Sequence, residues 1–538
     1  MKTRGILVLC ILLLTACEKF DYTADDNSRQ YLETYDNLEQ AVTGAYAKFA
    51  RIFTNGVFRN SYQVHEVLGD DIDIYNGAEC SSFNGCILWN DHGFQTLDEN
   101  HDTIYLSWGC ERYYLDFETD WLIDYMIGAY KDLYAAIRSQ NFILVQAEKS
   151  TNTDPAYNSL LGEVFYMRAY SYYRLTRFFG NIPLIIDTDV DYQVNRASFE
   201  EIYRQIESDL LMAIQLLPPN SSTARIPYIT PNRGSAKALL AEVYLTMGGY
   251  PVHDPSKYAL AAQYAREVID SASFLGFGLI DDFANLSDWH YGLHREMVSI
   301  MHYKAIFDYE SVFNPELGFM GFSTNELTDM NRDILVETKF FNDYPLSYRK
   351  KILYKGAPHI NEEWDPVTMT YIIDTVYPLQ TTTCYRVYLT NYLLDSYDEY
   401  WANIEESFVY ILRYAHTLLT YAEASARAGN LNEVSYEAVN QVRRRAHKLP
   451  VNTPSEYDMT PGLTTEQFLD SVVWERAWEC TGEAEGRWFD LLRLEMVGDL
   501  NELRDPHEAP PPYEGISEGQ YFFPIPEEDI YLNPNLEN

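Results

Sequence analysis

The sequence predicts a mainly α-helical fold: a degenerate tetratricopeptide-like array of helical hairpins, an α-α superhelix, interrupted by long irregular loops suited to holding a ligand. Three observations predict it. Apolar residues recur with helical period over residues 30–55, 126–272 and 407–498. Helix ends are chemically marked. In SFEEIYRQIESDLLMAIQLLPP, Ser198 and Glu201 form an S-x-x-E capping box, and Ile202, Ile206, Leu210, Ala213 and Leu217 keep one apolar face. Pro218 and Pro219 then stop the helix. Finally, two hairpins share a spacing: Ala241 and Glu242 precede Gly248 as Ala422 and Glu423 precede Gly429. Small residues let paired helices approach closely, which suggests repeats, although the full repeat consensus is absent.

At the N-terminus, Lys2 and Arg4 precede an apolar block from Ile6 to Leu14, too short for the ~20 residues of a bilayer span. Leu14, Thr15 and Ala16 lead straight into Cys17, the order of a bacterial lipobox. Residues 1–16 therefore read as a lipoprotein signal peptide and Cys17 as the lipidated first residue of the mature chain. Several acyl chains, palmitate among them, anchor far more firmly than one, at roughly 0.8 kcal/mol per buried CH₂. Residues 17–30, with EKFDYTADDNSRQ, form a polar tether. The remainder, 31–538, reads as one domain: a helical part to about 272, a loop-rich insertion over about 275–405 and a second helical part over about 407–538.

Within the helical parts, SAKALLAEVYLTMGG ends at a glycine pair, and YALAAQYAREVID follows a turn holding Pro251 and Pro255. YILRYAHTLLTYAEASARAGN reads as one helix ending at Gly429 and Asn430, before EVSYEAVNQVRRRA. Irregular stretches over about 70–125 and 275–405 are rich in Tyr, Trp, Asn, Asp and Gly, with a few short strands expected in the second. The tail FFPIPEEDIYLNPNLEN carries Pro524, Pro526 and Pro534, which favour an extended segment packed along the helical body.

A net charge of −40, from 40 basic and 80 acidic side chains, repels phosphate backbones, so nucleic acid is excluded as a general partner. Beyond Cys10 and Cys17 the cysteines are Cys80, Cys86, Cys110, Cys384 and Cys480. Five cannot all pair internally, no zinc spacing exists, and any bridge among the first three would brace a loop.

No G-x-S-x-G elbow, H-E-x-x-H or phosphate-cradling glycine loop is present. His290 and His294 have i, i+4 spacing near Glu296, compatible with a shared helix face but more simply structural. In ERAWECTGEAEGRWFDLLRL, Glu475, Glu479, Glu483, Glu485 and Asp490 could supply the paired carboxylates of a glycoside hydrolase. Arg476, Arg487 and Arg493 alternate with them, so an internal ion-pair network is the simpler account. The acidic LDENHD, Leu97 to Asp102, lacks the order of a specific calcium loop. No metal or other cofactor is implied.

Binding is better supported than catalysis. Aromatic residues make up 15% of the chain, including 45 Tyr, more than a helical array needs for its core. Sugar rings present apolar C–H faces that stack on aromatic rings, while Asn, Asp, Gln and Arg ligate hydroxyls. Tyrosines inside helices, such as Tyr166, Tyr170 and Tyr173, read as core. In the two insertions Trp89, Asn90, Asp91, Trp108, Trp289 and Tyr291 sit among polar neighbours and are the candidate ligand-binding residues.

Taken together, the ordered motifs resemble the SusD/RagB family of outer-membrane nutrient-binding lipoproteins. NLEQAVTGAYAKF, GDDIDIYN, LYAAIRSQNFIL, YMRAYSYYRLTRFFGNIPLI and NRGSAKALLAEVYL follow the family's N-terminal order. ILRYAHTLLTYAEASARAGN, AVNQVRRRA, ERAWECTGEAEGRWFDLLRL and FFPIPEEDIYLNPNLEN follow its C-terminal one. The resemblance implies four degenerate tetratricopeptide-like hairpins and irregular ligand loops. It also implies a lid at the cell surface over a SusC-type TonB-dependent transporter, capturing oligosaccharides, or peptides in the RagB manner, without enzymatic activity. A surface glycoside hydrolase is the distant alternative. The family's motifs are structural and carry no binding residue across; the aromatic candidates rest on local chemistry. Cys80, Cys86 and Cys110, crowding the first loop, are a departure from the family's pattern.

Overall fold

The computed structural model describes residues 32–52, 69–74, 89–90, 93–97, 103–106, 120–189, 191, 193–286, 291–302, 334–336, 338–356, 359–365, 370–376, 387–389, 408–481, 483, 485–504 and 521–537. The helices of the first half are α1 (Tyr35–Arg51), α2 (Asp120–Ala147), α3 (Pro155–Phe179), α4 (Phe199–Leu216), α5 (Arg233–Gly248) and α6 (Lys257–Asp270). Each packs on the next, as a hairpin array requires. Two short helices, α7 (Thr338–Asp343) and α8 (Tyr348–Leu353), lie in the insertion. They precede α9 (Tyr414–Arg427), α10 (Glu433–Ala446), α11 (Thr465–Glu479) and α12 (Arg487–Arg493). Because α9 packs on α6 as well as on α10 and α11, the array is continuous in space where the insertion interrupts it in sequence.

Local chemistry sets the helix ends. Both halves of the Ser198/Glu201 box form, and Thr464 with Gln467 makes a second one at α11. Asp154 caps α3 ahead of Pro155, whose missing N–H costs nothing at a first turn. The two glycines matched by spacing do different work. A Cβ on Gly248 would sit 2.3 Å from the Tyr258 ring of α6, so that glycine permits the close helix approach. Gly429 has open space around it but a φ of +72°, the left-handed conformation that follows a helix end. Their companions Glu242 and Glu423 are alike, both buried and each paired with an arginine.

The core runs along the whole array and holds the helical tyrosines. Tyr166, Tyr170 and Tyr173 of α3 are at most 2% exposed, and each hydroxyl is a cross-link. They reach Ser299 Oγ at 2.6 Å, Glu485 Oε1 at 2.8 Å and Thr246 Oγ1 at 2.7 Å.

Three expectations need correction. Residues 408–413 are not the start of a helix. They form a strand antiparallel to Met297–His302, with Val409 opposite Met301 and Tyr410 opposite Ile300, and α9 begins at Tyr414. FVYILR is rich in β-branched and aromatic residues, and the partner strand supplies the ladder that a 3.6-residue period alone cannot reveal. The tail is not simply extended: Pro526 occupies the N-cap of a short helix, α13 (Glu527–Leu532), and Pro534 stands just beyond its end. Prolines at those places delimit a helix without interrupting it. The tail does pack along the body, where the Phe523 N–H donates to Phe178 O and the Asn533 and Asn535 amides donate to Val194 O and Gln193 O. The insertions also carry more strand than expected. In the first, Trp89–Asn90, Gly93–Leu97 and Thr103–Leu106 form a three-stranded antiparallel sheet, and Ile72–Ile74 pairs with Ile334–Val336 of the second, while α2 begins at Asp120. No described helix is long and apolar enough to cross a membrane.

Candidate functional site

Of the candidate binding residues, Trp89 and Asn90 lie on a strand opposite Phe94 and Gly93. Asp91, Trp108 and Trp289 lie outside the described residues, as do Cys17, Cys80, Cys86, Cys110, Cys384 and His290. Of LDENHD only Leu97 is described. Tyr291 is the candidate whose side chain is placed. It is 47% exposed, and its neighbour Leu293 is 40% exposed, so the two present an apolar surface at the start of the second insertion.

The turn beneath Tyr291 is built to hold still. Gly292 takes φ +71°, with open space where a Cβ would lie, so its backbone conformation is what favours glycine there. His294 turns inward, its ring centroid 5.8 Å from that of Tyr291. Contrary to the helix-face reading, His294 sits in a turn just before a strand. Its tautomer follows from its partners. The Tyr410 hydroxyl donates to Leu286 O at 2.7 Å, so it accepts from His294 Nε2–H at 2.9 Å. Nδ1 then accepts the Glu296 N–H at 3.3 Å. Burial lowers the imidazole to about 4, with Arg413 and Arg445 adding to the effect and Glu296 opposing it. His294 is thus a neutral strut between the turn and the strand carrying Tyr410.

Two residues further, Glu296 ties the turn to the interior. It is fully buried and accepts the Ile280 N–H at 2.9 Å, Arg413 Nη1 at 2.8 Å and Arg445 Nη1 at 2.5 Å. Sequence reasoning paired His294 with Glu296 only as metal-like neighbours, and it missed Tyr410 and Arg413 by reading their strand as helix. The run of β-branched and aromatic residues in FVYILR was the available signal.

The acid-rich C-terminal stretch is an ion-pair network, as its alternating arginines predict. Arg413 reaches Glu296, Glu479 and Glu483, and Arg445 reaches Glu296 and Glu479. Arg349 spans Glu475 at 2.9 Å and Glu479 at 2.6 Å. In a second knot, Arg476 joins Glu242 and Asp490, and Arg493 joins Glu423 and Asp490. Glu485 takes Arg177 at 2.5 Å, and Arg487 grips Asp70 bidentately at 2.7 and 3.0 Å. Burial pushes the Glu479 carboxyl up, but Arg445, Arg413 and Arg349 outweigh it and hold it at about 2. A glycosidase pair needs one protonated acid and a second carboxylate facing a substrate cleft. These five carboxylates are buried and engaged with arginine instead.

One metal-like group occurs among the described residues. His416, Cys480 and Glu483 offer donor atoms within 4.8 Å of one another. The fit is poor. His416 Nδ1 accepts the Arg413 N–H at 3.1 Å, so Nε2 carries the hydrogen and has no lone pair for an ion. Glu483 is already taken by Arg413, and the Arg413 and Arg476 charges face His416. Cys480 is a free, buried thiol.

Two family models match consecutive parts of the chain. One, described as "Starch-binding associating with outer membrane", matches residues 21–245, and the "SusD family" model matches residues 324–538. SusD-like protein P2 of Formosa agariphila is 27% identical over 434 residues, 76% of this chain and 79% of that protein. The fold is similar to that of a SusD homologue from Bacteroides thetaiotaomicron, with a TM-score of 0.68, 20% identity and coverage of 95% of this chain and 98% of that one. It is also similar to surface glycan-binding protein A from Bacteroides fluxus, with a TM-score of 0.60, 18% identity and coverage of 93% and 97%. The two matched models between them account for most of the chain, in the order in which the helical array is built: the chain belongs to the SusD family.

Proposed function

We propose that this protein is a cell-surface glycan-binding lipoprotein that serves as the lid of a SusC-type TonB-dependent outer-membrane transporter in nutrient uptake. The observation that carries the binding half is Tyr291: a half-exposed aromatic ring on a turn braced by a neutral histidine and a buried glutamate. An exposed ring on a rigid support loses little entropy when a sugar stacks on it. The surface glycan-binding proteins that share the fold support the same class of ligand. Trp89, Asn90, Asp91, Trp108 and Trp289 complete the proposed platform, with no cofactor and no enzymatic step.

Isothermal titration of the purified chain against a panel of oligosaccharides tests this. Tyr291→Ala is expected to weaken the best ligand by roughly 5–30-fold, the equivalent of about 1–2 kcal/mol for a lost stacking contact. Trp89→Ala, Trp108→Ala and Trp289→Ala are expected to act in the same direction. Unchanged affinity in all four variants would reject the site. Binding to a proteolytic digest but to no glycan would move the assignment to a peptide-binding lid.

Localisation rests on residues 1–30. With 1–16 removed, lipidated Cys17 and the tether through residue 30 place the folded body at the outer face of the outer membrane, over the transporter mouth. Cys17→Ala is expected to leave glycan affinity intact in vitro and to release the protein from the membrane fraction. Loss of folding in that variant would overturn the anchor reading.

A further inference from the structure

We propose that Tyr457, stacked on His447, is a second sugar-stacking subsite, so that one glycan chain lies along a band from Tyr291 to Tyr457; the subsite rests on the glycan reading above and extends it. Tyr457 stands in the connection between α10 and α11, residues 447–464, far longer than the ~4–6 residues usual between elements. That connection is pinned. The buried Arg444 guanidinium donates to Asp458 Oδ1 and to Val451 O, both at 2.8 Å. The Met459 N–H donates to Asn440 Oδ1 at 2.8 Å, and the Leu463 N–H to the Tyr436 hydroxyl at 3.2 Å. On this support the Tyr457 ring lies flat against the imidazole of His447, with centroids 3.5 Å apart and planes at 10° to one another. Tyr457 is still 41% exposed, so the ring face turned away from His447 is open to a ligand. As at Tyr291, an exposed ring held in advance on a braced turn loses little freedom when a sugar stacks on it.

Direct contacts join the two rings. Arg295, four residues after Tyr291, reaches Asp281 at 3.1 Å. The next residue, Asp282, accepts the Tyr348 hydroxyl at 2.7 Å and pairs with Lys448 at 2.8 Å, and Lys448 directly follows His447. Arg295, Asp281 and Lys448 are all exposed, so this path runs over the outside of the molecule. A ring at each end, with carboxylates and cationic donors between, suits a chain of sugars whose C–H faces stack and whose hydroxyls need polar partners. The pairing also selects the kind of sugar. Arg295 and Lys448 already have aspartate partners, so a uronate or sulfated unit would have to displace Asp281 or Asp282, whereas an uncharged glycan needs no such exchange.

Isothermal titration of the full chain with matched trisaccharides and octasaccharides cut from laminarin, starch, xylan and mannan tests this. For a glycan that binds, Tyr457→Ala is expected to weaken the octasaccharide about 5-fold, the loss of one stacking contact, and to leave the trisaccharide, seated at Tyr291, unchanged. Tyr457→Phe, which keeps the ring, is expected to match wild type at both lengths. Tyr531→Ala, which removes a more exposed ring on the tail helix, is expected to change neither. Tyr291→Ala is expected to weaken both lengths. Octasaccharide affinity unchanged in Tyr457→Ala but weakened in Tyr291→Ala would overturn the subsite and leave the Tyr291 site standing. An equal loss at both lengths in Tyr457→Ala would overturn the single-chain band. Binding of none of these oligosaccharides by the wild type would overturn the subsite together with the glycan reading.

Discussion

Replacing Arg413 with alanine is expected to leave the chain unfolded or insoluble at ordinary temperature. Its guanidinium is wholly buried and answers three carboxylates, Glu296 before the 297–302 strand and Glu479 and Glu483 at the end of α11 and in the turn after it. Removing it leaves buried Glu483 without an arginine and takes one of the arginines from Glu296 and Glu479, and breaking a buried pair typically costs about 3–5 kcal/mol. That is a large fraction of the ~5–15 kcal/mol that holds a native protein together. Arg413→Lys keeps the charge but cannot span three acceptors, so it is expected to fall between the alanine variant and wild type. A surface pair is the control: Lys339 and Asp343, an exposed i, i+4 pair, should cost less than about 0.5 kcal/mol when removed. Urea unfolding followed by tryptophan fluorescence measures both. A midpoint for Arg413→Ala as little shifted as that of Lys339→Ala would show that the network carries little stability.

Asp71→Asn is expected to stabilise the protein at pH 8 and to flatten its stability profile between pH 4 and 7. Asp70 is satisfied by Arg487, but Asp71 is buried beside it with Oδ1 unpartnered. Burial, and then the Asp70 charge, raise the Asp71 carboxyl from 3.8 to about 7, with Arg487 and Arg504 only partly offsetting them. Between those values the native state holds a proton that the unfolded chain has released, so this group makes stability fall as pH rises through the window. The full penalty, on the order of 4 kcal/mol for a shift of that size, applies above pH 7. Glu479 runs the other way. Its contribution is present above about 4.5 and is lost as pH falls towards 2. Thermal melts across pH, wild type against Asp71→Asn, separate the two. Parallel curves would show that Asp71 does not titrate in the native state. Because Asp71 immediately precedes the strand that joins the two insertions, the expected change falls where the insertions are tethered to each other.

Much of the helical body was legible because its signals are local. Ser198 and Glu201 lie within one turn, the apolar face of α4 repeats every three or four residues, and the tyrosines of α3 stand among core positions. The acid and arginine alternation after Glu475 likewise announced ion pairs. What misleads is also local: the period of YILRYAH extends α9 backward through a strand, and the tail prolines look like helix breakers although a short helix fits between Pro526 and Pro534.

By itself the sequence determined that this chain is a capped, helical, strongly acidic protein with aromatic insertions and a lipobox-like leader, because periodicity, caps and composition act between residues a few positions apart. Only the tertiary structure decided which charges meet. Arg413 finds Glu296 across 117 positions, Arg476 finds Glu242 across 234, and Arg487 finds Asp70 across 417. No local pattern encodes those distances. Burial makes an unpaired charge costly, so the fold that brings these partners together is favoured, and that same pairing holds Glu296, and with it the turn that carries Tyr291, in place.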